Sequence, residues 1–405
     1  MVFLLHLKQM TESEQLVYDL SRKSFLSFWS YPNPEKENGK EVCDTLVLCS
    51  PDVIIFSVKD TEYKDTGRPA IDAARWQREA IAESSKQIYG AQRWINENGV
   101  ILNCERNITL QLPDQAIRRI HRVAVAFGSK EKVPLTFGDF GKGFIHVLDE
   151  KSLQALMAEL DTISDFVRYL SDKEDFLRSG TKTLFSKEED LLAFYAAEGY
   201  EFPVEPTEIV LDEGLWAAGF SVAPEVISRN KEREISYIWD NVLERFFENL
   251  ATDNYRTPWA DDTKTRDDLE FAVRAMAREN RRMRRFLGES ISGLIEHSTD
   301  ISTRARIFNT TESPICYVFM VADYYGDRGV NFKELQARCL VARGLDHSKQ
   351  TVIGVLFELT NRHEGDAITG CYIDVAKWSS EWQERKDLYQ TEFGFFKNLE
   401  HPAAA

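Results

Sequence analysis

Several familiar signatures are missing from this chain. Its six cysteines, Cys43, Cys49, Cys104, Cys316, Cys339 and Cys371, form no CxxC pair. They read as reduced thiols in a cytosolic protein. His6, His121, His146, His297, His347 and His363 lie far apart and make neither HxxxH nor HExxH, so they read as core or surface histidines. The glycine loop Phe137 to Gly143, FGDFGKG, lacks the GxxxxGK[ST] frame of an ATP site and reads as a flexible loop. No apolar run approaches the roughly 18 residues of a membrane span, and the start MVFLLHLKQM is too short for a secretory core. The expectation is a soluble, cytoplasmic chain with no membrane partner. Positive charge is scarce: 50 Lys and Arg stand against 66 Asp and Glu, for a net charge of -16. That balance counts against coating nucleic acid over the whole surface and leaves room for a local basic groove. Internal repeats and low-complexity tracts are absent, and the closing HPAAA reads as a loose tail.

What is present suits a folded chain of two or three domains over 405 residues. The apolar share of 43% is ordinary, and an aromatic share of 12% argues against disorder. Thr11 to Trp29 opens with the capping-box pattern Thr11-x-x-Glu14 and places Leu16, Val17, Leu20, Phe25, Phe28 and Trp29 at helical spacing. Tyr31 to Gly39, with two prolines and a glycine, ends that helix. Lys40 to Asp60 reads as two apolar strands, and Ile71 to Ile95 as a helix with Ile71, Ala74, Ile81, Ile88 and Ile95 on one stripe. Strands at Ile108 to Leu112, Arg119 to Phe127 and Phe144 to Leu148 extend a mixed sheet. Helical spacing fills the stretch from about 150 to 250, and the polar, proline-broken Thr252 to Asp268 marks a boundary. A long arginine-rich helix follows it. The end of the chain alternates strand Ile315 to Ala322, helix Phe332 to Arg343, strands Thr351 to Leu359 and Gly370 to Ala376, and helix Ser379 to Tyr389. The expected organisation is α+β: a mixed sheet flanked by helices over 1–150, a helical region over 151–255, and a small α+β domain of unassigned role over 256–405.

The stretch Lys40 to Asp60 organises the rest. Pro51 cannot take the positive φ of a primed two-residue turn, so a four-residue loop from Ser50 to Val53 on a type I turn is expected. That loop pairs Asp44 with Lys59 across the ladder and puts Ser57 on the same face. By parity Glu41 and Asp60 face the other way and read as solvated.

Hydrolysing a phosphodiester needs a positioned water, neutralisation of the extra charge at phosphorus, and help for the leaving oxygen. A carboxylate that holds Mg2+ or Mn2+ through oxygen, with a lysine beside the water, supplies the first two. Glu14 on a leading helix, Asp44 opening a strand, a following strand that ends Ser57-x-Lys59, and then a helix resemble the PD-(D/E)XK nuclease superfamily. The resemblance covers roughly residues 11–95, about a fifth of the chain. It implies a restriction-endonuclease-like fold for the N-terminal sheet and a Mg2+- or Mn2+-dependent nuclease acting on DNA or RNA. By the same resemblance Glu14 and Asp44 hold the metal and Lys59 orients the attacking water. Free-standing relatives with unfamiliar C-terminal halves serve in bacterial restriction or phage defence, which is the setting implied here. Ser57 is the departure: it stands where the family has Asp or Glu, brings no negative charge, and weakens the expected hold on metal. The alternative is a scaffold that kept the fold and lost the chemistry, binding nucleic acid, a partner protein or a second copy of itself.

Each of these residues also has a plainer use. Glu14 is the third position of a capping box, and Asp44 with Lys59 makes a surface ion pair worth roughly 0.2–1 kcal/mol. Lys86 and Gln87 on the following helix either lean toward the same corner or are solvated. In the run Arg274, Arg278, Arg281, Arg282, Arg284 and Arg285, helical spacing puts all but Arg284 on a broad face. That face either follows a phosphate backbone or pairs with the chain's many acids. A second basic group, Arg118, Arg119, His121 and Arg122, reads as the lining of a groove beside the sheet.

Overall fold

In the computed structural model, which describes residues 10–36, 38–103, 108–179, 182–204, 208–220, 224–251, 262–296, 303–323, 326–359, 367–375 and 377–397, helices flank two separate mixed sheets. The chain divides at Ile227 into the units Met1–Ile227 and Ser228–Ala405. The sequence placed breaks near 150 and 255; residues 252–261 of the second lie outside the described residues.

The first unit runs α1 (Glu12–Phe25), β1 (Ser30–Pro32), β2 (Thr45–Cys49), β3 (Asp52–Asp60), α2 (Pro69–Gln77), α3 (Glu83–Glu97), β4 (Val100–Asn103), β5 (Ile108–Gln111), β6 (Arg119–Phe127), β7 (Gly138–Asp139) and β8 (Phe144–Leu148). It continues through α4 (Glu150–Glu159), α5 (Ile163–Arg178), β9 (Lys182–Leu184), α6 (Glu188–Ala197), β10 (Glu208–Val210) and α7 (Leu215–Phe220). The main sheet has the order β1-β2-β3-β6-β8-β7. β1, β2 and β3 form an antiparallel meander, and β3, β6 and β8 run parallel. β4 and β5 form a separate two-stranded sheet, so β5 does not extend the main one. Only four residues separate these two short strands, and pairing with the sequence neighbour prevails over crossing to a distant edge. β9 and β10 make a third, small parallel ribbon.

β3 is apolar on both faces because both are covered, which is why its sequence does not alternate. Val53 and Ile55 join Ala124, Ala126, Ile145 and Val147 in a core with Ile81, Ile88, Ala91 and Ile95. On the opposite face Phe56 meets Phe166 of α5 with ring centroids 6.4 Å apart, and Phe166 meets Phe25 of α1 at 5.1 Å. Each such buried side chain contributes about 1.5–3 kcal/mol. The helix expected from Ile71 to Ile95 is α2 and α3 joined by a π turn, Arg78–Ala82. Helical spacing across α4 and α5 hides a break at Thr162, whose hydroxyl accepts the Asp165 N–H as a new N-cap.

The second unit runs α8 (Pro224–Ala251), α9 (Asp262–Ala277), α10 (Arg281–Glu296), β11 (Arg304–Phe308), β12 (Ile315–Asp323), α11 (Arg328–Leu345), β13 (Thr351–Leu359), β14 (Ala367–Asp374) and α12 (Ser380–Glu392). The division at Ile227 falls within α8. The sheet order is β11-β12-β13-β14, with β12 and β13 parallel and joined through α11. α11 covers one face with Leu335, Cys339 and Ala342, while Trp239 of α8 packs edge-on against Tyr317 on the other. β11 has no counterpart in the sequence reading. Among the described residues no helix is long and apolar enough to cross a membrane.

The C-terminal end of β3 is held by close backbone packing. The Thr61 N–H donates to the Phe127 carbonyl, and Gly128, at φ +80°, lies so near that an added Cβ would stand 2.4 Å from the Thr61 oxygen. Gly128→Ala combines a left-handed backbone with that clash, and is expected to lower stability in urea by about 2–4 kcal/mol. A change of less than about 0.5 kcal/mol would contradict the packing described.

Candidate functional site

Two residues, Ser50 and Pro51, join β2 to β3, with a cis peptide between them. Cys49 therefore opposes Asp52, and Thr45 opposes Phe56. The expected four-residue loop is replaced by this two-residue connection. The register shifts accordingly. Carried one residue beyond β2, it sets Asp44 across from Ser57, not Lys59, and Lys59 lies one step farther along the same face.

The ladder stops at Thr45, where the chain bends at Asp44. The Asp44 carboxylate takes over from the missing strand: its Oδ2 accepts the Val58 N–H at 2.6 Å. The bend also removes the regular alternation that turned Glu41 away. Glu41 is half-buried, and its carboxyl is close enough to raise that of Asp44. Asp60 is exposed as expected, yet its Oδ2 accepts from the Ser13 hydroxyl at 2.6 Å and ties α1 to the end of β3.

Electrostatics follow from this geometry. Asp44 is 7% exposed. Burial is the main cause that lifts its carboxyl from the ordinary 3.8 to about 6. The Val58 N–H opposes the rise, the nearby Glu41 carboxyl adds to it, and the Lys59 charge draws it down. Ser57 is buried and donates its hydroxyl to Gln87 Oε1 at 2.9 Å, so Gln87 of α3 does lean on the corner. Lys86 turns to Glu83 at 2.6 Å instead. Glu83 is held below the usual carboxylate range, first by Lys86 and last by the charge of Lys59.

The remaining expected residues have other engagements. Glu14 completes the capping box: its Oε2 accepts the Thr11 N–H at 2.8 Å, and its own N–H donates to the Thr11 hydroxyl at 3.2 Å. Arg118 donates to the carbonyls of Pro113 and Ile95, and Arg122 to Gln92 Oε1 at 2.6 Å. Arg119 pairs with the fully buried Asp52 at 2.8 Å, and His121 holds the other oxygen of that carboxylate at 2.9 Å. The long arginine-rich helix is two helices, because Asn280 caps α10 by accepting the Met283 N–H at 2.8 Å. Arg278 falls between them. Arg281 and the buried Arg284 clamp Asp240 at 2.7 and 2.6 Å. Arg274, Arg282 and Arg285 face Glu270, Glu312 and Glu289 at 2.7, 3.3 and 3.6 Å. The loop Phe137 to Gly143, expected to be flexible, is fixed by Asp139 Oδ1, which accepts the Gly141 and Gly143 N–H groups at 2.7 and 3.1 Å.

The Asp44 oxygen that Val58 does not occupy is a hard donor of the kind taken by Mg2+ or Mn2+, ions that are held by one or two carboxylates with water and phosphate completing the shell. Among the described residues, no three His, Cys, Asp or Glu side chains gather closely enough to hold an ion together. Glu14 is thus not brought into a three-acid site with Asp44 and Glu41. Comparison with protein-family models, curated proteins and solved structures finds no match to this chain.

Because the Asp44 carboxyl is raised in the folded chain, the stability it lends is intact below about pH 4 and drains away as pH rises through about 6. Asp44→Asn keeps an acceptor for the Val58 N–H and removes the titration. In divalent-free buffer it is expected to stabilise the protein at pH 8 by on the order of 2 kcal/mol, and to change little at pH 4. Urea melts at the two pH values check this, and destabilisation at pH 8 would contradict it.

Proposed function

We propose that the first unit hydrolyses phosphodiester bonds of nucleic acid with Mg2+ or Mn2+, as its resemblance to PD-(D/E)XK nucleases implies. Lys59 carries this reading. Its side chain is half-buried near Asp44 and Glu83, yet among the described residues its ammonium has no ion pair within 4.0 Å and no hydrogen bond. The plainer reading of Asp44 and Lys59 as a surface ion pair requires a contact that is absent. An ammonium left uncommitted in a chain of net charge -16 is well suited to an anionic substrate.

Asp44 would hold the cation through the oxygen that Val58 does not occupy. When bound, the cation supplies charge neutralisation at the phosphate and acidifies a water. Lys59 would donate its N–H groups to an attacking water and to the phosphate oxygens, stabilising charge that builds up in the transition state. Gln87 accepts from Ser57 through Oε1, which leaves its amide nitrogen to donate to the substrate. Glu14 acts through the cap that fixes α1, and Ser13 of the same turn holds Asp60.

A second reading, a scaffold that binds nucleic acid or a partner without cutting, is favoured by two observations. Ser57 brings no charge, and most of the arginines suited to a phosphate track already have acidic partners. Bacterial restriction or phage defence suits either reading. Supercoiled plasmid, linear DNA and tRNA incubated with Mg2+ or Mn2+ separate the two. Hydrolysis is expected to require metal and to fall at least about a hundredfold in Asp44→Ala and Lys59→Ala. Binding without cutting would favour the scaffold, and neither binding nor cutting would contradict both.

A further inference from the structure

Two polar groups near the end of β3 have no hydrogen-bond partner among the described residues, and one can supply what the other needs. The first is the Lys59 ammonium, which can only donate. The second is the hydroxyl of Ser84 on α3, which can accept. Ser84 is 0% exposed, and its Oγ is buried with no partner among the described residues. A hydroxyl buried in this way is costly, and alanine would fill the same place without the cost. Its neighbour shows the usual remedy: the Ser85 hydroxyl donates back to the Ile81 carbonyl at 2.8 Å.

The fold sets these two groups at one level. α3 returns the chain from β3 to its parallel neighbour β6, so its first turn lies at the C-terminal end of β3. The Ser57 hydroxyl, bonded to Gln87 at 2.9 Å, fixes the alignment of helix and strand. Ser84 lies three residues before Gln87 and four before the buried Ile88, hence one turn nearer the end of β3 and on the core side of Gln87. Lys59 lies two residues past Ser57 on the same face. One helical turn advances about 5.4 Å and two strand residues about 6.7 Å, so the two steps keep Ser84 and Lys59 abreast. Glu83 flanks them on the outer side, exposed and bound to Lys86 at 2.6 Å.

We infer that Ser84 is a positioning residue for Lys59; this rests on the nuclease reading of the Asp44 corner. In the working complex the Ser84 Oγ accepts one N–H of the ammonium, and the other two are thereby directed at the attacking water and a phosphate oxygen. A neutral acceptor suits this task. Asp44 or Glu83 in the same role would neutralise the ammonium in an ion pair, whereas a hydroxyl fixes its direction and leaves its charge for the substrate. The buried hydroxyl that the resting fold leaves unmatched is then matched when the lysine is at work.

The test compares wild type, Ser84→Ala, Lys59→Ala and the double variant Lys59→Ala, Ser84→Ala. Initial rates are measured with Mn2+ on whichever of plasmid, linear DNA and tRNA wild type cuts, with a urea melt of each protein alongside. Ser84→Ala is expected to lower kcat about tenfold and to leave KM within about twofold, because the lost bond is to a charged group and forms only at work. Its urea midpoint should equal or exceed that of wild type, since no resting bond is lost. In the Lys59→Ala background the same change should have no further effect on kcat, as expected for two residues that act as one unit. If Ser84→Ala cuts as wild type does, the role of Ser84 is refuted and the nuclease reading stands. A lowered urea midpoint would make the hydroxyl structural, and a full further loss in the Lys59→Ala background would show that it does not act through Lys59; either result overturns the inference. If wild type cuts nothing, the nuclease reading falls and the role of Ser84 falls with it.

Discussion

The hydrogen bond from the Val58 N–H to Asp44 is the constraint on which the candidate site depends. A backbone N–H buried inside a sheet must find an acceptor. β2 would ordinarily supply a carbonyl opposite, at Cys43, but its ladder stops at Thr45, and the Asp44 carboxylate fills the gap. One oxygen is thereby fixed against the strand, and the whole group is drawn into a poorly solvated position. From that burial follows a carboxyl raised to about 6, with the Lys59 ammonium one step along the same face.

The acidic composition sharpens the contrast between Lys59 and the arginines expected to bind phosphate. Arg119 neutralises Asp52, Arg281 and Arg284 together neutralise Asp240, and Arg118 is absorbed by backbone carbonyls. Even the fully buried Lys173 of α5 is matched, by Glu188 at 2.5 Å, with Tyr169 donating to the same carboxylate at 2.7 Å. Burial lowers Lys173 from its usual value, and the nearby acid restores its charge. In each case the partner holds the cation within the fold. For the expected arginines to reach a phosphate backbone they would have to leave these acids.

Long, strongly patterned elements were legible in the sequence. β6, β8 and β13 have the expected bounds, and the capping box at Thr11 and Glu14 is complete. The face shared by Asp44, Ser57 and Lys59 was legible too, because parity survives a shift of two residues. The register was not, since it is set by a two-residue connection, Ser50 and Pro51, where the proline pointed to a longer loop. Glu41 was set aside by an alternation rule that presupposes a regular strand, and the chain bends between Glu41 and Thr45. The break in the arginine-rich helix had a visible sign in Asn280, a good N-cap whose side chain does cap α10. The apolar spacing on either side of it masked that sign.

The most direct test of this account is the location of the cation. Crystals soaked in Mn2+ and measured near the manganese absorption edge would show it without reference to turnover. An anomalous peak is expected at metal–ligand distance from Asp44, on the side away from Val58, with Lys59 nearby and no comparable peak along α9 and α10. Density confined to other acids, or none at Asp44 under conditions where Mn2+ binds in solution, would contradict it.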